Sequence, residues 1–268
     1  MATASDPAST EVRFHRERQG RVDVPLPFAQ TPEHDAFVRR LYAEAQRRTA
    51  GASSPNPYAL LPDTLGFLGL LLEEQKPSQV VEFGSGESTY VFAKGLAASG
   101  GRLVSVEHDR GWVGEVERRL TPETRAAVRM VHAPLRPSRR GARLFLSYSG
   151  LEGLRDEVAG AQLFLLDGPH MSGRELVLQF VLSNCPAGAL IVVDDFRHYA
   201  VRDMLLGIPA AQAACFAGAG IDENAHGLFV LRCLRTPVAA QASPVSARAV
   251  AQSYWRCLRD FRQYGLGD

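Results

Sequence analysis

Acidic residues lie at or near the ends of four short apolar segments of strand length. Glu82 is in V-V-E-F, Glu107 ends V-S-V-E, Asp167 follows L-F-L-L, and the pair Asp194-Asp195 follows L-I-V-V. If these segments are strands of one parallel sheet, their carboxyl ends meet at the edge where such sheets bind ligands. Carboxylates gathered there repel one another unless a positive ligand, a metal ion or a shared proton neutralises them. The sequence therefore predicts a site for a positively charged group.

The three aspartates could also hold a metal ion. Asp167, Asp194 and Asp195 offer hard oxygen ligands without a cysteine, which favours Mg²⁺, Ca²⁺ or Mn²⁺ over zinc. The structural alternative is that Asp167 and Asp195 cap the helices that follow them. His170 could remove a proton near pH 7, since the ordinary imidazole pKa is about 6.5. His198 is the second candidate base, and a plain surface position is the alternative for His170.

A glycine-bearing turn follows the first of these segments. Gly84 and Gly86 allow the backbone to approach a ligand closely, and the helix behind them offers free N–H groups. A dinucleotide loop would have glycine or alanine where Thr89 stands, and Glu82 would repel a pyrophosphate, so a nicotinamide cofactor is disfavoured. Glu107 follows Gly84 by 23 positions, about where such folds place the acid that accepts the ribose hydroxyls. The alternative is that both glutamates are surface acids at strand ends.

Composition excludes several classes of protein. The 268 residues are 46% hydrophobic and 22% charged, with a formal net charge of +1, so no overall charge suggests nucleic acid or an anionic membrane as partner. The four cysteines form no C-x-x-C pair, which argues against zinc and a disulfide framework and favours a reducing cytoplasm. The sequence has no recognisable signal peptide and no membrane-length apolar run. We therefore expect a soluble, cytoplasmic protein.

Strands and helices alternate from residue 79 onwards. Apolar runs predict strands at 79–83, 102–106, 128–132, 161–166, 188–193, 212–217 and 227–233. Helical periodicity predicts helices at 88–98, 111–120, 171–183 and 196–206. This alternation is typical of a doubly wound, mostly parallel α/β sheet covered by helices on both faces. The long connection 136–154 is predicted to be loop, and it could form part of a substrate wall with Tyr148 and its arginines facing an acidic acceptor.

Further segments flank the predicted sheet. Residues 1–30 are predicted to be a mobile arm, and helices within 31–76 form a cap on the main domain, 31–234. Residues 235–268 comprise a linker and a final helix with an apolar stripe: Ala247, Val250, Ala251, Tyr254, Trp255, Leu258 and Phe261. Such a stripe must be buried against something. Packing on the chain's own core is favoured, and a homodimer through this helix stays open.

The glycine loop and the two glutamates resemble those of the class I S-adenosylmethionine-dependent methyltransferases. E-F-G-S-G-E-S at 82–88 matches that family's first motif, E/D-x-G-x-G-x-G, except that Ser88 replaces the last glycine. The resemblance spans roughly residues 60–233 and implies a Rossmann-like methyltransferase domain of seven strands, the last antiparallel. It implies that Glu82 faces the methionine amino group and that Glu107 holds the ribose. The other implied cofactor contacts are Gly84, Ser85, Gly86, Ser88, Thr89, His108, Ala133 and Asp167.

The aspartates resemble the ligand set of the metal-dependent O-methyltransferases, which matches Asp167, Asp194 and Asp195 position by position. In that family Mg²⁺ chelates a substrate hydroxyl, lowers its pKa and directs its oxygen at the methyl group. His170 stands where the catechol type places a lysine base, three residues after the first aspartate. The resemblance therefore implies O-methylation of a small-molecule hydroxyl, with Asp167 and His170 as catalytic residues.

Two other functions remain open at this point. The same fold supports attack on other carbons of the sulfonium, which gives aminopropyl transfer or cyclisation with release of methylthioadenosine. A non-catalytic partner subunit, whose final helix serves for docking, is the second alternative. The complete set of acids argues against it. The sequence does not identify the acceptor.

Overall fold

The computed structural model describes residues 26–54, 59–169, 173–237 and 246–264. Its main sheet contains β1 Gln79–Phe83, β2 Arg102–Glu107, β3 Val128–His132, β6 Leu163–Leu166, β7 Leu190–Asp194, β8 Phe216–Ile221 and β9 Leu228–Cys233. The strand order is β3-β2-β1-β6-β7-β9-β8. β9 is antiparallel to both of its neighbours, and the other strands are parallel. The predicted doubly wound, mostly parallel seven-stranded sheet is confirmed.

Helices cover both faces of this sheet. They are α1 Pro32–Arg48, α2 Pro62–Gln75, α3 Glu87–Ser99, α4 Arg110–Arg119, α5 Pro122–Ala126, α6 Arg155–Gly160, α7 Arg174–Asn184, α8 Tyr199–Leu206, α9 Ala210–Ala213 and α10 Ala247–Tyr264. Strand β1 is buried along its whole length, with Val81 and Phe83 in the core beneath α7 and Val80 in the core beneath α1 and α2. Burial on both faces explains why the strands are nearly continuous apolar runs.

The strand predicted at 212–217 lies at Phe216–Ile221 instead, and α9 occupies the residues before it. Its sequence, F-A-G-A-G-I, is a weak strand signal because glycine is depleted in strands. Packing requires glycine here, because a Cβ at Gly218 would lie 2.6 Å from Phe229 and 3.1 Å from Phe28. The missing side chain makes room for aromatic rings from elsewhere in the chain, which the local pattern does not reveal.

The connection predicted as loop at 136–154 contains a β-hairpin. Strand β4, Leu135–Arg140, pairs antiparallel with β5, Arg143–Tyr148, around a turn at Gly141 with a φ of 58°. The arginine-rich half faces outward, whereas Tyr148 and its apolar neighbours are buried against the sheet. The run of charged residues hid the first strand of this hairpin, because only one side of the hairpin is covered.

Helix α10 packs on the hairpin through a different face from the predicted one. Its buried residues are small or polar: Ser253, Cys257 and Asp260. Its exposed residues include three of the predicted stripe: Trp255 at 72%, Leu258 at 51% and Phe261 at 42% exposure. The reason is local, because Ser253 Oγ accepts a hydrogen bond from the Leu144 N–H at 3.1 Å and satisfies an amide at the edge of β5. Burial of these three residues in the chain's own core was therefore wrong, and a homodimer through this helix stays a prediction.

The predicted arm and linker are only partly described. Residues 1–25 and 238–245 lie outside the described residues. Within the described part, the Ala29 N–H donates to the Phe216 carbonyl at 3.1 Å, and the Ala29 carbonyl accepts from the Gly218 N–H at 2.9 Å. Residue 29 therefore extends the edge of the sheet. In the described ranges, no helix combines the length and the apolar character needed to cross a membrane.

Candidate functional site

The predicted site residues gather where the chain changes direction across the sheet. Strands β2 and β3 lie on one side of β1, and the chain then crosses to place β6 on the other side. The Phe83 carbonyl at the end of β1 accepts the Asp167 N–H at 3.0 Å, so the two strands stay joined at this edge. Ligands of doubly wound sheets bind at such a switch point, outside the carboxyl ends of the strands.

The glycine loop passes very close to the end of β6. Gly84 has a φ of 97°, a left-handed conformation that favours glycine. A Cβ at this position would lie 2.8 Å from the Gly168 nitrogen, so a larger residue would collide with backbone. Gly86 caps α3, and its N–H donates to Thr89 Oγ1 at 3.0 Å. The loop is therefore fixed at both ends before any ligand arrives.

Glu82 is completely enclosed beneath this loop. Its carboxylate accepts hydrogen bonds from Ser88 Oγ at 2.8 Å and from Thr89 Oγ1 at 2.5 Å. Burial raises the pKa of Glu82 to about 7, against the hydrogen bonds from Thr89, Ser105 and Ser88, which lower it. Ser88, which departs from the methyltransferase motif, thus has a physical role, because it ties α3 to β1. Glu82 therefore holds the loop.

We expect Glu82→Gln to change how stability depends on pH. The folded-state pKa of Glu82 lies above its ordinary value of 4.5, so the folded protein holds a proton that the unfolded chain releases. Stability is therefore lost as the pH rises from about 4.5 to about 7, by about 3 kcal/mol from this group. The Gln variant should lack this loss, so its free energy of unfolding in urea should gain on wild type between pH 5 and pH 8.

The matched control is Glu115→Gln on α4, where the carboxylate is 39% exposed and pairs with Arg118. Its difference from wild type should stay nearly constant with pH. If the difference between Glu82→Gln and wild type were also constant with pH, the raised pKa of Glu82 in the folded protein would be contradicted.

Glu107 ends β2 beside the glycine loop and is 5% exposed. Its Oε2 accepts the Ser85 N–H at 3.1 Å, and its Oε1 accepts the His108 and Asp109 N–H groups at 2.6 and 2.9 Å. Burial alone would raise the pKa of Glu107, but the contact with His108 and these amides outweigh it, so the pKa is lowered. A carboxylate has about four acceptor positions. An ionised acid with at least one acceptor position left therefore stands next to the loop.

Three further residues lie beside this acid or its loop. His108 Nδ1 lies 2.7 Å from Glu107 Oε1, and the Ala133 N–H donates to the Glu107 carbonyl at 2.7 Å. Trp112 was not predicted, although its indole N–H donates to the Ser85 carbonyl at 2.8 Å. Its position three residues after the Asp109 N-cap of α4 is the available signal, because the first turn of that helix faces the loop. These residues flank Glu107 and the glycine loop.

Arg174 lies between the ends of β6 and β7, and sequence reasoning missed it. It is 2% exposed, and its guanidinium donates to the Asp194 carbonyl at 3.0 Å and to the Asp167 carbonyl. The same group lies 3.3 Å from Asp195 Oδ2 and 3.6 Å from Asp167 Oδ1. A buried cation of the protein itself therefore neutralises part of the carboxylate cluster. In the sequence, Arg174 is distinguished only as a charged residue at the start of a largely apolar helix.

The aspartates do not meet as one equal set. Burial raises the pKa of Asp167 to about 6 even though Arg174 opposes this, and burial with the charges of Asp195 and Asp167 raises the pKa of Asp194 well above its usual range. Among the described residues, the group whose possible ligand atoms lie within 4.8 Å of one another is Asp194, Asp195 and His226. His226 was not predicted. Asp167 is engaged with Arg174 instead.

The helix-capping alternative for Asp195 is wrong, because α8 begins at Tyr199 with His198 as its N-cap. For Asp167 the alternative stays open, because residues 170–172, which precede α7, lie outside the described residues. Asp195 instead has a φ of 59°, a left-handed conformation that is uncommon outside glycine and often marks functional positions.

The two candidate bases have different standing. His170 lies outside the described residues. His198 Nδ1 accepts the Ala200 N–H at 3.2 Å and thereby caps α8, which occupies one of its ring nitrogens. The predicted base therefore remains a prediction that rests on the sequence.

Tyr148 of the hairpin lies inside the site rather than on an outer wall. It is 2% exposed, and in the described part of the chain its hydroxyl has no hydrogen-bond partner. Burial, together with the charges of Glu107 and Asp167, raises its pKa well above the usual value, so the phenol stays protonated. A Cβ on Gly168 would lie 2.3 Å from this hydroxyl, which places it directly beside the crossing of β1 and β6.

Comparison with known proteins identifies this architecture. No protein-family model and no curated protein sequence matches the chain. Among solved structures, it is similar to the O-methyltransferase TomG from Streptomyces achromogenes, involved in tomaymycin synthesis and solved with SAM: 16% identity, 84% of this chain and 96% of that one, and a TM-score of 0.51. An O-methyltransferase from Bacillus cereus in complex with SAH matches at 14% identity over 75% of this chain and 97% of that one, also with a TM-score of 0.51. The chain therefore has the fold of the class I S-adenosylmethionine-dependent methyltransferases.

Proposed function

We propose that this protein transfers a methyl group from S-adenosylmethionine to a hydroxyl oxygen of a small molecule. The observation that carries the proposal is Glu107, a buried and ionised acid held beside the glycine loop by three backbone amides. It stands at the switch point of a sheet whose fold is that of S-adenosylmethionine-dependent enzymes. O-methyltransferases with SAM or SAH bound are among the similar structures.

The charges at this site support the proposed cofactor, which carries a positive sulfonium and an ammonium group. Glu107 would accept the ribose hydroxyls, with His108 and Ala133 beside the adenine. The loop at Gly84–Gly86 would lie along the methionyl part, and the enclosed charge of Glu82 would favour its ammonium group. The ends of β6 and β7, with Asp167 and Asp194, would then face the sulfonium, and the acceptor would approach from the far side of the transferred methyl group.

The chemistry requires alignment and removal of one proton. Fixing the nucleophilic oxygen and the sulfonium in line converts a bimolecular reaction into a unimolecular one, which can account for about 7–11 kcal/mol of the barrier. The acceptor hydroxyl must lose a proton, and His170 remains the base that the sequence predicts. A divalent cation bound by carboxylates would supply a lowered pKa for that hydroxyl. Among the described residues, the buried Oδ1 of Asp194 has no hydrogen-bond partner, which is compatible with such a cation.

Product analysis tests the reaction type. We expect purified protein, incubated with S-adenosylmethionine and a panel of phenols, sugars and hydroxy acids, to release S-adenosylhomocysteine with at least one acceptor. Chromatography with mass detection would identify both the released nucleoside and the methylated acceptor. Methylthioadenosine as the main product would instead support aminopropyl transfer or cyclisation. Binding of the cofactor without turnover by any acceptor would favour the non-catalytic partner subunit.

The net charge of the chain and the hairpin β4–β5 support a small-molecule acceptor. The net charge of +1 offers no general attraction to nucleic acid, so a small-molecule acceptor is proposed. The hairpin β4–β5 brings Tyr148 to the site, and the size of the acceptor is then set partly by this hairpin. The test measures equilibrium binding of S-adenosylhomocysteine at low and at high salt, with nucleic acid added as a competitor. Without the competitor, the measurement does not separate a small-molecule enzyme from one that binds a polyanion.

A further inference from the structure

We propose that Asp194, Asp195 and His226 form the binding site of a divalent transition metal, with Asp167 excluded from the ligand set. Metal binding stands on the geometry alone, whereas a role for the metal in catalysis rests on the proposed O-methyl transfer. This set differs from the one that the sequence predicted, which comprised Asp167 with Asp194 and Asp195. The difference concerns which residues hold the ion and which ion they prefer.

The three side chains converge at the end of β7. One atom from each lies within 4.8 Å of an atom from each of the others, and His226 Nδ1 is 3.6 Å from Asp195 Oδ1. Two ligand atoms about 2.0–2.2 Å from a shared metal lie at most about 4.4 Å apart, so the three side chains must move closer together to bind one ion. Their spacing, within 4.8 Å, is already close to that limit.

An unpaired buried oxygen provides independent evidence for a ligand. Asp194 is 3% exposed, and within the described residues its Oδ1 has no hydrogen-bond partner. Leaving a buried polar group unpaired costs about 1–3 kcal/mol, and more for a charged group. Most such groups in folded proteins are paired with protein, water or an ion. A cation at this position would satisfy the oxygen.

Arg174 explains why Asp167 is outside the set. The guanidinium lies near Asp167 Oδ1 on one side and near Asp195 Oδ2 on the other. Asp195 thus directs Oδ2 to the arginine and Oδ1 toward His226. A metal ion bound between Asp167 and Asp195 would be repelled by Arg174, because two cations would share the same carboxylates. A metal on the His226 side of Asp195 avoids that position.

The backbone holds His226 in place from two directions. Its N–H donates to Asn224 Oδ1 at 3.1 Å, and its carbonyl accepts the Arg197 N–H at 2.8 Å. The antiparallel pairing of β9 with β7 puts Leu228 opposite Asp194, so the residues just before β9 lie beside the end of β7. The imidazole is therefore positioned by the same sheet that positions the two aspartates.

The ligand chemistry selects the class of metal. Two carboxylates suit Mg²⁺, Ca²⁺ and Mn²⁺, but an imidazole nitrogen favours first-row transition ions such as Mn²⁺, Fe²⁺, Co²⁺ or Zn²⁺ over the all-oxygen coordination that Mg²⁺ prefers. One imidazole and two carboxylates thus favour a transition ion. Mn²⁺ is the convenient probe, because its binding can be followed both by calorimetry and by electron paramagnetic resonance.

The test is Mn²⁺ binding to the full chain and to two single variants. We expect wild type to bind one Mn²⁺ per chain more tightly than Mg²⁺. His226→Ala should weaken Mn²⁺ binding by at least about tenfold, because even the loss of an outer-shell partner of a metal ligand costs about that much. Asp167→Asn should change the affinity by less, within about threefold, because Asp167 is engaged with Arg174 and is outside the ligand set. Thermal unfolding of each variant establishes that it is folded.

Two outcomes would overturn the proposal. One is wild-type protein that binds no Mn²⁺. The other is the reverse ranking, in which Asp167→Asn loses the ion and His226→Ala keeps it, because that result assigns the ion to the set predicted from the sequence. S-adenosylmethionine binding, measured by calorimetry on the same preparations, tests the proposed function separately. Cofactor binding without Mn²⁺ binding would reject only the metal site, and Mn²⁺ binding without cofactor binding would reject only the proposed function.

Discussion

Glu107→Ala should lower the affinity for S-adenosylmethionine by about 30- to 1,000-fold. Hydrogen bonds to a charged group contribute about 1.5–3 kcal/mol each, and losing one or two gives about 2–4 kcal/mol at 1.4 kcal/mol per tenfold. Glu107 is buried and its pKa is lowered below its ordinary value, so it is ionised at neutral pH. Isothermal titration calorimetry measures the loss directly.

A loss of affinity alone would not separate contact with ribose from support of the loop, because Glu107 also accepts the Ser85 N–H. The 2′-deoxy analogue of S-adenosylhomocysteine separates the two roles. Wild type should bind the parent compound about tenfold more tightly than the deoxy analogue, a difference of about 1.4 kcal/mol. Glu107→Ala should bind both alike. A variant that still discriminates would show that the acid supports the loop and does not contact the ribose.

Glu115→Ala is the matched control for this experiment. Glu115 lies on α4, the helix that follows Glu107 in the chain, and its carboxylate is 39% exposed in a pair with Arg118. Affinity for both nucleosides should stay at the wild-type value. Unchanged affinity in Glu107→Ala itself would contradict the placement of the cofactor.

Arg174→Met should destabilise the protein by about 3–5 kcal/mol at pH 8, the cost typical of breaking a buried ion pair from one side. The guanidinium is 2% exposed and contacts the ends of β6 and β7, so its removal leaves Asp167 and Asp195 facing each other without it. Urea unfolding monitored by circular dichroism measures the loss. Arg118, which pairs with Glu115, has a side chain that is 72% exposed, and Arg118→Met should change stability by less than about 1 kcal/mol.

The loss should depend on pH in a defined direction. The pKa of Asp167 is already raised to about 6 by burial although Arg174 opposes it, so removing Arg174 raises that pKa further. The folded variant then holds a proton that the unfolded chain releases, and its stability falls as pH rises. We therefore expect a smaller deficit at pH 5 than at pH 8.

The double variant Arg174→Met with Asp167→Asn completes the test. Because both partners are removed, it should be more stable at pH 8 than the sum of the two single changes predicts, by at least about 0.5 kcal/mol. Simple additivity would mean that Arg174 acts on the carbonyls of β6 and β7 and that its charge contributes little. If Arg174→Met does not express, Arg174→Gln also removes the charge and allows the same cycle.

Local sequence pattern determined the sheet and the cofactor loop. Strands β1, β2 and β3 were predicted within one residue of their observed bounds. For β1 and β2 the reason is burial on both faces, which makes a strand a nearly continuous apolar run. The positions of Gly84, Glu82 and Glu107 were also predictable. Each follows from spacing along a β-turn-α-β segment whose geometry is set by neighbours in the chain. The alternation of elements predicted the parallel sheet, and the seven-stranded order was implied by the resemblance to the class I methyltransferases.

Residues that act across the sheet were decided by the tertiary structure. Arg174 is the first residue of α7, and nothing in its neighbourhood in the chain indicates that its guanidinium bridges two strand ends. The inward face of α10 was likewise set by contact with a hairpin that the sequence did not reveal. The position of His226 was decided partly by the sequence, because an antiparallel last strand implies that the loop before β9 meets the end of β7. Local periodicity determines an element and its burial, whereas partners far apart in the chain are chosen by the packing of the completed fold.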